Sequence, residues 1–151
     1  MVSTLRFGDV PIGDDGIPLS YSRVMKGAIT TGYSVKPGQG TASGRKPVPG
    51  IVAVDPSKIP YGTRMYIVSS DGSFVYGYAI AGETGSAMKE GRVDFDLLYA
   101  TYAQSCAHGK RALDVYFLDL SLIHIFYSAD PHHPFIIESI REIGYRFQTT
   151  S

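Results

Sequence analysis

The sequence has one cysteine, Cys106, and no tryptophan among its 151 residues, so no internal disulfide can form. We expect Cys106 to pack as a small apolar residue, because no histidine and acid are recognisably arranged to activate it as a nucleophile. Neither sign of charge is in excess: lysine plus arginine and aspartate plus glutamate number 14 each. A net charge of zero gives no general attraction to nucleic acid or anionic lipid. No apolar run is long enough to span a membrane.

Histidine is also scarce. The four histidines are His108, His124, His132 and His133. A zinc site needs three or four converging ligands, and no spacing in this sequence supplies them, so we predict no bound metal and no cofactor. The first residues, Met1-Val-Ser-Thr-Leu-Arg-Phe7, show no signal-peptide pattern.

Turn-forming residues are abundant, with 17 Gly and 9 Pro against 19% charged residues. This balance is typical of a β-rich domain, and the length is enough for one domain with a real core. Ser69-Ser-Asp-Gly72, between two apolar runs, predicts a hairpin, and residues 35–49 predict a long loop. Strands are predicted at residues 26–34, 50–54, 64–68, 74–80 and 92–97, and around Leu113, Val115 and Phe117.

The predicted strand at residues 92–97 alternates in polarity. Its apolar residues are Val93, Phe95 and Leu97. Its acids, Asp94 and Asp96, are therefore expected together on the opposite face.

One short helix is predicted before the last strand. Thr101 and Gln104 have the spacing of a capping box at its start. Gly109 is suited to end it.

The two ends of the chain are predicted to lie outside the domain. Residues 1–21 include Gly13-Asp-Asp-Gly16 and two prolines, which favours a loosely attached linker or arm from a longer parent protein. At the other end, Leu120-Ser-Leu-Ile-His-Ile125 matches, residue for residue, a translation of the transposon end used in sequencing-library preparation. We interpret residues 120–151 as a chimeric read-through. The alternative is a natural apolar strand with the same sequence.

Three acidic residues, Asp55, Glu83 and Asp94, each lie at or beside a turn marked by glycine or proline. Carboxylates that end different strands of a barrel can meet in one cleft, and one of them can then be held protonated. Such a set is suited to cleaving a glycosidic bond. From spacing alone, structural alternatives stay open. Asp94 can lie on a solvated strand face, Asp55 can accept backbone hydrogen bonds, and Glu83 can be an exposed turn residue.

A series of ordered motifs carries a resemblance to a known family. The motifs are Gly32-Tyr33-Ser34, Thr41-Ala-Ser-Gly44, Ile51–Pro56, Ile59–Arg64, Gly82–Ser86 and Val93-Asp94. From about Gly27 to Leu118 the sequence resembles the three-aspartate (3D) domain, a double-psi β-barrel of bacterial cell-wall enzymes. The family usually has Asp-Thr-Gly where this chain has Glu83-Thr-Gly85, so one acid is longer by a methylene.

The resemblance implies a six-stranded double-psi β-barrel over residues 22–119, with one or two short helices. It also implies activity similar to that of lytic transglycosylases of this barrel class, which use one aspartate as acid and then as base. The sugar's own 6-hydroxyl attacks, so no second carboxylate has to activate water. In this sequence Asp94 takes the acid/base role, and burial among apolar neighbours is expected to keep it protonated. Asp55 and Glu83 stabilise the developing positive charge, and Asp96 is a second candidate for the acid.

Residues around these acids are expected to bind the substrate through hydroxyls, backbone and positive charge. They are Thr41, Ser43, Thr84, Gly85, Lys89 and Arg92. The implied partner is the peptidoglycan glycan strand, cut between N-acetylmuramic acid and N-acetylglucosamine. The protein is expected to be a monomer, outside the cell or in the wall, with its export signal on a longer parent. A non-catalytic glycan-binding module and a hydrolase that uses water are the alternatives.

Overall fold

The structure is a computed structural model that describes residues 1–118, and the predicted tail at 120–151 lies outside the described residues. The strands are β1 (Arg23–Tyr33), β2 (Ile51–Val54), β3 (Arg64–Val68), β4 (Val75–Thr84), β5 (Phe95–Leu98) and β6 (Lys110–Phe117), and the helices are α1 (Ser86–Lys89) and α2 (Tyr102–His108). The strands close into a barrel in the order β1-β5-β2-β4-β3-β6. The predicted fold class, a mainly β six-stranded barrel with one or two short helices, is confirmed. Neither helix in residues 1–118 is long and apolar enough to cross a membrane.

Strand direction varies around the barrel. β1 runs parallel to β5, and β2 runs parallel to β4. The other neighbouring pairs are antiparallel. This mixture sets which strand ends meet, and therefore where the candidate site lies.

Alternation along the strands divides the barrel wall into an inner and an outer face. Val52 and Val54 of β2 lie in the core, whereas Ala53 between them packs outside it with Met88 and Val93. The prediction that Val93 shares a face with the core residues of β5 is wrong. Val93 precedes that strand and packs with Ala53 and Met88 instead.

The predicted hairpin between β3 and β4 is confirmed. The Ser69 N–H donates to the Phe74 carbonyl (2.8 Å). The Asp71 carboxylate accepts hydrogen bonds from the hydroxyls of Ser69 (2.8 Å) and Ser73 (2.7 Å). Gly72 has a φ of 77°, in the left-handed region that glycine adopts without a steric penalty.

The predicted capping box opens α2. The Gln104 N–H donates to the Thr101 hydroxyl (3.1 Å), and the Thr101 N–H donates to the Gln104 side chain (3.2 Å). Gly109, with a φ of 63°, follows the helix. The expectation that Cys106 packs as a small apolar residue is wrong, because it is exposed and the buried side of α2 carries His108 instead.

His108 joins α2 to the barrel interior through buried hydrogen bonds. The Thr30 hydroxyl donates to the Arg111 carbonyl (2.9 Å), so in its contact with His108 Nε2 (2.8 Å) we assign the ring nitrogen as donor. Nδ1 then accepts from the Tyr99 hydroxyl. Burial, assisted by the nearby Arg111 charge, lowers the pKa of His108 to about 4, which matches a neutral ring.

Residues 1–20 pack against the outer face of β3, β4 and β6. The Phe7 ring meets the Tyr78 ring edge-on, with centroids 5.0 Å apart, and the Tyr78 hydroxyl donates to the Val10 carbonyl (2.8 Å). This segment is therefore held closely to the barrel, not loosely as its glycines suggested. We call the barrel surface beneath it the covered face; its residues are Tyr66, Val68, Tyr78, Tyr116 and Leu118.

Candidate functional site

The candidate acids meet at one end of the barrel because of strand direction. β2 and β4 run parallel, so their last residues lie at the same end. β5 runs antiparallel to β2, so its first residues lie there too. Asp55 directly follows β2, Glu83 lies near the end of β4, and Asp94 directly precedes β5. β4 extends past its predicted end at residue 80, so Glu83 lies in a strand.

Two rows of outward-facing acids follow from the strand pairing. Ala53 is paired with Glu83 on one side and with Asp96 on the other. Continuing the pairing of Ala53 with Asp96 by two residues along each strand sets Asp55 opposite Asp94. Two residues along a strand span about 7 Å, which separates the rows. We call Asp55, Glu83, Asp94 and Asp96 together the acid patch.

Asp55 and Asp94 line one small cleft of about 90 Å³, together with Lys58 and Met88. Glu83 and Asp96 do not line it. The structure thus brings two of the three predicted catalytic acids directly together and places the third one row away. Among residues 1–118, no group of three or more histidines, cysteines and acids is arranged to hold a metal ion.

Asp55 is held as an anion. One of its carboxylate oxygens accepts hydrogen bonds from the Ser57 hydroxyl (2.7 Å) and the Ser57 N–H (3.0 Å). These two hydrogen bonds lower the pKa of Asp55, and the charges of Lys58 and Lys89 add to the effect. Asp55 is therefore suited to stabilise positive charge, and it is poorly suited to donate a proton.

Asp94 differs from its sequence-based description. It precedes β5 and is exposed, so the burial expected to keep it protonated is absent. Its Oδ2 accepts a hydrogen bond from the Ile29 N–H (2.8 Å), and its own N–H donates to the Ile29 carbonyl (2.9 Å). These two bonds fix Asp94 against β1 at the mouth of the cleft.

Asp96 is the half-buried acid of the patch. Burial raises its pKa, although a hydrogen bond from the Thr31 hydroxyl (2.9 Å) acts in the opposite direction. Tyr33 lies near Asp96 and Glu83: burial raises the pKa of Tyr33, and the charges of these two acids raise it further. Its hydroxyl donates to the Ile51 carbonyl (3.3 Å).

Glu83 connects β4 to the long loop before β2. Its Oε1 accepts hydrogen bonds from the N–H groups of Ala42 (2.9 Å) and Thr84 (3.1 Å). The Ser43 hydroxyl donates to the Gly82 carbonyl (2.7 Å) at the same point. The longer side chain of a glutamate therefore reaches the loop backbone and helps to hold the loop against the barrel.

The hydroxyl protons predicted to bind sugar are used within the protein. Thr41 donates to the Arg45 carbonyl (2.7 Å), and Thr84 donates to the Val54 carbonyl (2.8 Å). As with Ser43, their oxygens can still accept a hydrogen bond from a sugar hydroxyl.

The other predicted binding residues have distinct surroundings. A side chain at Gly85 would begin 2.9 Å from the Met88 methyl group, the flexible end of that side chain, so a substitution there requires Met88 to shift. Lys89 is exposed, and its positive charge contributes to the lowered pKa of Asp55. The Arg92 guanidinium forms an ion pair with Glu90 (2.8 Å), so its charge is already matched.

Sequence reasoning missed two residues at the site. Tyr33 belongs to the motif Gly32-Tyr33-Ser34, which carried the family resemblance, but nothing in the motif indicates that the ring lies near Glu83 and Asp96. Lys58 lines the cleft beside Asp55, and no spacing rule connects it with an acid three residues away.

Comparison with known proteins identifies a matching family model and a similar protein. The family model described as 3D domain matches residues 50–119, which include Asp55, Glu83 and Asp94. A segment of 44 residues is 43% identical to a protein of Bacillus subtilis (strain 168) named as a cell wall shaping protein, YabE. The segment covers 29% of this chain and 9% of that relative, so the chain spans a small part of the relative's length. Residues 50–119 thus match the 3D domain, the family that the motif resemblance predicted.

Proposed function

We propose that the protein cleaves the glycan strands of peptidoglycan as a lytic transglycosylase and acts outside the cell or in the wall. The observation that carries the proposal is that Asp55 and Asp94 line one cleft at the end of the barrel. The 3D domain match and the name of the YabE relative support a role at the cell wall. Most enzymes that cleave glycosidic bonds use two acids with different surroundings.

In the proposed reaction the proton of one carboxylic acid passes to the glycosidic oxygen as the bond from that oxygen to the sugar's C1 breaks. The 6-hydroxyl oxygen of the same sugar then bonds to C1 and returns its proton to the carboxylate. The product is a 1,6-anhydro sugar, and no water is consumed. An intramolecular attack of this kind gains rate because the attacking group is already in place.

Asp94 is our candidate for the acid and base, because it is the acid that faces Asp55 across the cleft. Asp55, held as an anion by Ser57, stabilises the positive charge that develops on the sugar ring. Asp96 is the second candidate, because its pKa is the raised one. Asp94 has the better position on the cleft, and Asp96 has the surroundings that favour a proton.

The test is digestion of purified peptidoglycan by the protein, followed by mass spectrometry of the released sugar ends. A transglycosylase gives 1,6-anhydro ends, whereas a hydrolase gives ends heavier by one water. Release of neither, with glycan still bound, would favour a non-catalytic binding module. The observations that favour this last alternative are the exposure of Asp94 and the glutamate at position 83.

A further inference from the structure

A second concave surface lies at the far end of β5 from Asp94. Leu98 ends that strand, and Tyr99 and Ala100 follow it. Two adjoining cavities of about 600 and 450 Å³ share Pro49, Tyr99 and Ala100 as lining residues. Ligand sites in proteins have volumes of this order, whereas the cleft between Asp55 and Asp94 is far smaller.

The charge of this surface is opposite to that of the acid patch. Lys36 and Lys46 line the larger cavity and Arg111 lines the smaller one, and no acidic residue of the described chain lines either. Both lysines are exposed, and within residues 1–118 neither forms an ion pair. Arg111 lies over the Phe74 ring, 4.3 Å from its centroid, and donates to the His108 carbonyl (3.0 Å). We call this surface the cationic groove.

One loop forms a wall of both sites. Residues 41–45 of the loop are bonded to Glu83 and Gly82 at the acid patch. The flanking residues 36–39 and 46–47 line the cationic groove. A turn in which the Lys36 N–H donates to the Gln39 side chain (2.7 Å) holds Lys36 at its edge. A branched ligand can therefore reach both sites by passing around this loop.

We propose that the cationic groove binds the carboxylates of the peptide that branches from the glycan, while the uncharged sugar rings lie over the acid patch. This inference rests on the proposed function and names the part of the substrate that the groove holds. The carboxylates of the acid patch repel an anionic peptide, and unpaired lysines attract it. The two surfaces thus sort a branched substrate by charge, with an apolar floor at Pro49 and Tyr99 for the peptide's aliphatic parts.

The test compares three probes by calorimetry: the stem peptide freed from glycan, the same peptide with its carboxylates amidated, and a peptide-free glycan fragment. The double variant Lys36→Ala/Lys46→Ala should bind the carboxylate peptide about tenfold more weakly, because each solvent-exposed ion pair contributes modestly. Its affinity for the amidated peptide and for the peptide-free glycan should not change. Added salt should weaken the binding of the carboxylate peptide and leave the binding of the other two probes unchanged. Lys110→Ala, an exposed lysine on β6 that does not line the groove, is the matched control and should bind all three probes as the native protein does.

Several outcomes overturn the inference. Equal affinity of the native protein for the free and amidated peptides would show that charge does not select the ligand. If the double variant lost affinity for the peptide-free glycan as much as for the carboxylate peptide, the groove would be shown to hold sugar. Because the freed peptide is measured without cleavage, lysine-dependent binding in a protein that does not cut glycan would leave the groove assignment standing and remove the proposed function. Cleavage with no lysine-dependent peptide binding would do the reverse.

Discussion

Two faces of the same barrel differ in the residues that point outward. On the covered face, pairing across three strands forms a row of Tyr78, Tyr66 and Tyr116, and residues 1–20 bury it. On the open face, the corresponding row is Glu83, Ala53 and Asp96. Both rows lie on a wall whose inner face is apolar. The barrel thus supplies the positions, and the outward residues decide whether a surface is packed or available for chemistry.

The largest expected effect is on the open face. Asp94→Asn should reduce glycan cleavage roughly 100-fold or more, because the amide keeps the shape but cannot deliver a proton. Glycan binding and folding should change little. The measurement is release of anhydro sugars from purified peptidoglycan, with binding to insoluble peptidoglycan as the control. Asp96→Asn should cost much less, and an inactive Asp96→Asn with an active Asp94→Asn would assign the acid to Asp96 instead.

The pH dependence of stability should follow His108, which lies away from the acid patch. Its folded-state pKa is lowered to about 4, so the unfolded chain binds a proton first as pH falls. The contribution of His108 to the free energy of unfolding is therefore fully present above the ordinary histidine pKa near 6.5. Between that pH and about pH 4 the free energy of unfolding falls by up to about 3 kcal/mol. Urea unfolding at several pH values measures this. His108→Asn should remove this contribution to the slope, and an unchanged slope would contradict the assignment.

Glu83→Asp tests the length of the side chain that joins the open face to its loop. The shorter side chain withdraws from the Ala42 N–H, so we expect cleavage to fall on the order of tenfold or more, since a misplacement near 1 Å can cost about 100-fold. Glu83→Gln keeps the length and the acceptor but removes the charge, and it separates positioning from electrostatics. A rise in activity in Glu83→Asp would show that glutamate is an impaired substitute for the family's aspartate.

On the covered face, Tyr78→Phe should lower the free energy of unfolding by about 1 kcal/mol, because the Val10 carbonyl loses its buried donor. Cleavage per folded molecule should not change. Tyr21→Phe is the matched control: this ring is exposed, and its hydroxyl has no hydrogen bond in the described residues. A loss of activity in Tyr78→Phe without a loss of stability would mean that the two faces are coupled.

The smallest effect is expected from removing the residues that follow Leu118, none of which is among the residues that define either face. Ending the chain after Leu118 retains all six strands and should leave a folded domain with almost unchanged thermal stability. A truncated protein that fails to fold would show that the residues from 119 onward belong to the domain. Amplification of the gene from source DNA across the Leu120 junction tests the chimeric interpretation, and a continuous natural gene would contradict it.

Local signals made the barrel predictable. The hairpin at residues 69–72 and the capping box at Thr101 depend on neighbours within a few residues, and both were predicted correctly. Cys106 and Val93 were placed wrongly, because burial depends on what packs against a residue from elsewhere in the chain. Residues 1–20 were wrongly predicted to be loosely attached for the same reason. Their glycines are visible in the sequence, but the tyrosines against which this segment packs lie on three strands that are distant in sequence.

The candidate site was only partly predictable. Motifs identified Asp55 and Asp94, but the arrangement of acids in two rows required the strand order, which no local pattern encodes. Asp114 shows how little the residue type alone reveals. It too lies in an alternating strand, yet it is buried and accepts hydrogen bonds from the Gly27 N–H (3.0 Å) and the Lys26 ammonium (3.2 Å). Burial alone would raise the pKa of Asp114, but these bonds, together with one from the Ser70 hydroxyl, outweigh it and lower the pKa.

Closure of the barrel also affects how the protein behaves among other chains. In residues 1–118 each of the six strands has a hydrogen-bonded neighbour on both sides. Open sheets expose a row of unpaired backbone groups that can template pairing with another molecule, and proteins guard such edges with charge, proline or bulges. A ring of strands removes that route to aggregation, so exposed loops can diverge in sequence without creating a surface to which a second copy adds a strand.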